Sequence, residues 1–199
     1  MPGDDLPLLT FADAASLERW LAEQDESSAG AWFRFAKQGA PEATVSKSDA
    51  IDCALAYGWV DGQLGGVDAH FFKTRFTPRR GRSAWSKINR QRVERLEEAG
   101  RMRPRGRAQV DQAKADGRWA AAYAGQSEAA AGADLDAALD AEPAARHLFD
   151  ALDAANRFSI LYHVQQAKTP EKRAAKIAEM VAMLSRGDTI HPRKARRSR

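Results

Sequence analysis

The chain has 199 residues, of which 44% are hydrophobic and 29% charged, with a formal net charge of +4. That apolar fraction can build a core and excludes wholesale disorder, and no apolar run reaches the roughly 18 residues that span a membrane. Cys53 is the only cysteine, which excludes an intrachain disulfide and a cysteine-rich zinc site.

Met1-Pro2-Gly3-Asp4-Asp5 opens with acid where a secretory signal carries base, and the expectation is a soluble, cytoplasmic protein. Asp13 is positioned to cap a helix that carries Leu17, Trp20 and Leu21 on one face. After the Ser27-Ser28-Ala29-Gly30 break, residues 32–37 read as a strand with Phe33 and Phe35 on one side. Ser46-Lys47-Ser48-Asp49 resembles a capping box and opens a helix with Ile51, Ala54 and Leu55 inward, ended by Gly58. Residues 59–64 and 69–77 suggest two strands around the turn Gly65-Gly66-Val67-Asp68. Pro78-Arg79-Arg80-Gly81-Arg82 is a basic turn. Ser83 then predicts a helix cap for residues 84–99, with Trp85, Ile88, Val93 and Leu96 on one stripe and Gly100 as the stop.

Pro104 opens a further helix through Val110 and Ala113, broken at Gly117. Residues 124–134 are small and polar and read as a linker. Beyond them the pattern is helical: residues 135–141, a helix opened by Pro143, one capped by Asn156, and one capped by Thr169 with Pro170 behind it. The expected fold is α+β. A small mixed α/β domain with a short antiparallel sheet covers residues 1–123, a helical appendage covers 135–187, and residues 188–199 form a disordered basic tail.

Charge is segregated along this plan. Residues 73–107 hold thirteen Lys/Arg against Glu94, Glu97 and Glu98, a net of +10. Residues 186–199 add +5, so the remainder carries −11. Such a band either recruits anionic partners or folds back onto the acidic part of its own chain.

Several stretches resemble the YdeI/OmpD-associated family, also labelled bacteriocin-protection proteins. They are Ala54-Leu55-Ala56-Tyr57-Gly58-Trp59-Val60-Asp61-Gly62, Arg75-Phe76-Thr77-Pro78-Arg79-Arg80 and Ser83-Ala84-Trp85-Ser86-Lys87-Ile88-Asn89. Gly100-Arg101-Met102-Arg103-Pro104, Gly117-Arg118-Trp119 and the stretch from Ala167-Lys168 to Gly187 also fit, so the resemblance runs over residues 10–192. It implies an α+β fold and a link to tolerance of cationic antimicrobial peptides, and it brings no catalytic residues with it.

The predicted ligand site gathers Trp59, Asp61, Arg79, Arg80, Ser83, Trp85, Ser86 and Asn89. The first turn of a helix leaves N–H groups unpaired, and arginines in the preceding turn add bidentate contacts to phosphate or carboxylate. The plain alternative is that Ser83 only caps and the arginines pair with the acidic body. Asp61 is the candidate general base, or else an Asp-Gly turn residue. His70, His147, His163 and His191 have no metal-site spacing, and neither a metal nor a cofactor is expected. The leading expectation is a protein that binds a small anion or confers stress tolerance. The alternatives are an enzyme acting on a phosphate- or carboxylate-bearing substrate and a nucleic-acid-associated protein.

Overall fold

The computed structural model describes residues 5–123, 131–167 and 169–192. Most of the expected linker (124–130) and the tail from residue 193 lie outside the described residues. The chain divides into two compact units, Met1–Ala122 and Tyr123–Arg199. Together they form an α+β structure with one mixed sheet and eight helices among the described residues.

The first unit is built on a four-stranded sheet of order β1-β2-β4-β3, with β1 Leu8–Thr10, β2 Ala31–Ala36, β3 Trp59–Gly66 and β4 Phe71–Pro78. β1 runs parallel to β2, and β4 is antiparallel to both β2 and β3. Strand alternation sends Phe33, Phe35 and Phe76 into one core, where Phe33 stacks on Phe76 with ring centroids 4.4 Å apart. Helices α1 (Ala14–Glu23) and α2 (Lys47–Ala56) supply Leu17, Leu21, Ala50, Cys53 and Ala54 to the same core.

The caps explain where these helices begin and end. Asp13 accepts the Ser16 N–H at 2.7 Å and Ser46 accepts the Asp49 N–H at 3.1 Å, each satisfying a donor of the first turn. Gly58 follows α2 at φ +79°, and its carbonyl accepts the Arg79 N–H at 2.8 Å, which ties the end of α2 to the end of β4.

Two further helices, α3 (Lys87–Glu98) and α4 (Pro104–Ala115), pack a second cluster with Leu55, Trp85, Val93, Leu96 and Val110. α4 reaches α2 through Gly106, where a Cβ would stand 2.8 Å from the Leu55 carbonyl oxygen and closer still to that of Ala56. The predicted start of α3 is corrected. Its N-cap is Ser86, which accepts the Asn89 N–H at 3.1 Å, and Ser83 instead accepts the Arg80 N–H inside a turn. Trp85 therefore precedes the helix, and Ile88 is 42% exposed and belongs to no core.

The second unit contains α5 (Ala133–Asp140), α6 (Pro143–Asp150), α7 (Ala154–Gln165) and α8 (Pro170–Ser185) around Leu135, Leu139, Phe149, Ile160 and Leu184. α8 begins at Thr169-Pro170 as the sequence implies. For α7 the cap is Asp153, which accepts the N–H of Asn156, so Asn156 lies inside the first turn. From there its buried side chain donates to the His191 carbonyl at 3.2 Å and accepts the His191 N–H at 2.8 Å.

Candidate functional site

β4 ends at Pro78, opposite Trp59, because proline has no N–H to continue the ladder. The chain then turns through Arg79 to Ser83, closed by a Ser83 N–H to Arg80 carbonyl bond of 2.8 Å. The eight predicted residues part company here. Arg79 is 4% exposed, lies 3.6 Å over the Trp85 ring and donates to the Ala84 carbonyl at 3.2 Å. Trp85 meets Trp119 edge-on at 4.9 Å. Arg90 reaches over Trp119 and donates to its carbonyl at 3.0 Å. Arg118 holds the turn from outside, donating to the Ser83 carbonyl at 2.9 Å while forking onto Asp116.

Arg79, Trp85 and Ser86 are thus buried parts of the scaffold, while Arg80 is exposed and Ser83 and Asn89 are half-buried beside it. Trp59 is 1% exposed and packs against Trp20, with centroids 5.4 Å apart. Asp61 stands opposite Phe76 on the ladder and pairs with Lys47 at 3.8 Å, an ion pair that engages the carboxylate proposed as a base.

A cleft beside Arg79 is lined also by Tyr57, Trp59, Arg105, Gln109, Asp25 and Glu26, and its volume is about 10 Å³. That is room for about one water molecule, and its lining includes the carboxylates of Asp25 and Glu26. Of the predicted residues, only Trp59 and Arg79 line it. Arg118, Trp119 and Arg90, which fix the turn, went unassigned in the sequence. The motif Gly117-Arg118-Trp119 marks two of them, but only tertiary contact reveals their role.

Elsewhere in the band, Arg92 pairs with Asp52 at 2.6 Å, and Arg101 and Arg103 share Glu18 at 3.3 and 3.4 Å. Arg80, Arg82, Lys87, Arg95 and Arg107 are exposed and have no carboxylate partner among the described residues. Cys53 is wholly buried, and burial followed by the nearby Glu18 charge pushes its thiol up to about 12, so it stays protonated and inert. No group of three metal-ligating side chains and no helix long and apolar enough to cross a membrane occurs among the described residues.

Residues 9–109 match the family model described as Domain of unknown function (DUF8412). The chain belongs to this family. Residues 128–187 match a second model, described as Bacteriocin-protection, YdeI or OmpD-Associated. The resemblance read over residues 10–192 is thereby shown for the second unit. The motifs at 54–62, 75–80, 83–89 and 100–104 fall instead within the other family's segment. No curated protein and no solved structure matches the chain.

Proposed function

We propose that the protein binds an anionic ligand, and that its first unit takes a small phosphate- or carboxylate-bearing molecule at the exposed start of α3. The observation that carries this reading is that Arg80 and Arg82 lie in the turn leading to α3 and Lys87 at its first position, all exposed and without carboxylate partners among the described residues. Ser86 satisfies the Asn89 N–H, which leaves other first-turn donors to an incoming anion. Arg79 and Trp85 act beneath as a rigid base for the turn. The match of residues 128–187 supports a physiological role in tolerance of antimicrobial peptides.

The test is a thermal-shift series with inorganic phosphate, phosphosugars and organic acids, read by tryptophan emission. At least one ligand raises the melting temperature of the wild type, and the shift disappears in the triple variant R80Q/R82Q/K87Q. Stabilisation that persists in the triple variant, or none with any ligand, overturns the reading.

A further inference from the structure

The face of the sheet turned away from the aromatic core carries a second concentration of charge. Register sets two cross-strand rows on it: Leu8 beside Trp32 beside Arg75, and Thr10 beside Arg34 beside Lys73 beside Gly65. The side chains confirm the shared face, because Lys73 Nζ lies 4.4 Å over the Trp32 ring and the Arg34 guanidinium 4.2 Å over Phe71.

Arg34 and Lys73 are directly opposed like charges, an arrangement that destabilises an antiparallel ladder. Glu42 neutralises Arg34 at 2.8 Å, whereas Lys73 and Arg75 have no carboxylate partner among the described residues. The Nε–H groups of both Arg34 and Arg75 are buried without an acceptor among the described residues, as is that of Arg90 away from this face. Opposed cations with a single carboxylate between them leave this face with excess positive charge for an anionic partner.

Strand geometry decides what kind of acceptor. Lys73 and Arg75 project two residues apart, about 6.6 Å along the strand, and Arg34 stands across from Lys73. Such a row matches the spacing of successive charges on an extended polymer. Trp32 and Phe71 are each only 6% exposed beneath the cations, so no aromatic protrudes to enter a lipid surface. Gly65 lies beneath the stem of Lys73, where a Cβ would stand 3.4 Å from Lys73 Cε.

We infer that this sheet face binds single-stranded nucleic acid through its phosphates, with bases resting on the guanidinium planes of Arg34 and Arg75. The site is separate from the one at α3, and either can fail without the other.

The experiment is fluorescence anisotropy of a labelled mixed-sequence single-stranded DNA oligonucleotide with the full chain across a salt series. The two unpaired cations, Lys73 and Arg75, give a log–log salt slope of about −1.4, and K73Q/R75Q removes most of it. The same variant weakens binding about tenfold at low salt while its tryptophan-monitored melting stays intact. R80Q/R82Q/K87Q retains most of the oligonucleotide affinity. Wild-type affinity in K73Q/R75Q overturns the inference. So does equal displacement of the oligonucleotide by polyglutamate, which would make the face a general acid-polymer surface.

Discussion

The two units differ in how many of their arginines are spent on holding the fold. In the second unit Arg146 lies within salt-bridge reach of Asp136, Asp140 and Asp150, and Arg173 joins Asp134 on α5 while donating to the Val164 carbonyl on α7. There the cations clip short helices together. In the first unit Arg92, Arg101 and Arg103 also clip elements together, but two hydrophobic clusters carry the packing, and Arg80, Arg82, Lys87, Arg95 and Arg107 stay exposed on the outside. Cations that do not hold the fold are free to meet a ligand, and that contrast is the ground of the site proposed at the start of α3.

The largest effect that tests this contrast comes from Gly106→Ala. A methyl group there collides with two backbone carbonyls at the end of α2, and neither can swing aside as a side chain could. The expected loss is about 3 kcal/mol or more. Urea unfolding followed by tryptophan emission measures it, because Trp20, Trp32, Trp59, Trp85 and Trp119 all belong to the first unit. An unchanged midpoint would mean that α4 does not rest on α2 as described.

Asn156→Ala is the counterpart in the second unit, with an expected cost of about 2 kcal/mol. It removes the bonds to Asp153 and His191 and leaves the His191 N–H without its acceptor. Far-UV circular dichroism follows the loss of helix. A parallel shift in the tryptophan transition would break the comparison, showing the two units unfolding as one.

Local punctuation was readable in the sequence. Asp13, Ser46, Gly58 and Thr169-Pro170 each act within one turn of their own position, so one-dimensional rules reach them. Ser83 and Ser86 were indistinguishable by those rules, since either can cap a helix. The choice is made by Trp85, which packs under Arg79 in the preceding turn and against Trp119, a contact distant in sequence. Asp153 and Asn156 pose the same ambiguity, and the His191 backbone resolves it. The candidate site divides likewise. Exposed Arg80 follows from its turn, whereas the burial of Arg79 and the pairing of Asp61 with Lys47 depend on tertiary packing. On the sheet, nothing in the sequence reading singles out Lys73 and Arg75, and only register places Trp32 and Arg34 beside them.

The smallest effect is a pH dependence, and it separates the units by cause. In the first unit Asp13 and Asp68 lie below the ordinary carboxylate range chiefly because backbone N–H groups of Ser16 and His70 donate to them. In the second unit Asp134 is held down to about 2, chiefly by side-chain hydrogen bonds from Arg173. A carboxyl with a depressed folded pKa stabilises the fold above its unfolded value and loses that contribution as pH falls through the folded one. For Asp134 the window runs from its ordinary 3.8 down to about 2. Asp134→Asn therefore flattens the acid limb of the circular-dichroism melting curve in that window and leaves the tryptophan limb unchanged. Added salt distinguishes the causes. An exposed ion pair is screened by salt, whereas donation from a backbone N–H at a cap or turn is less so. Salt should thus shrink the acid sensitivity of the second unit more than that of the first. Equal responses would mean that the Arg173 fork contributes no more than a cap does.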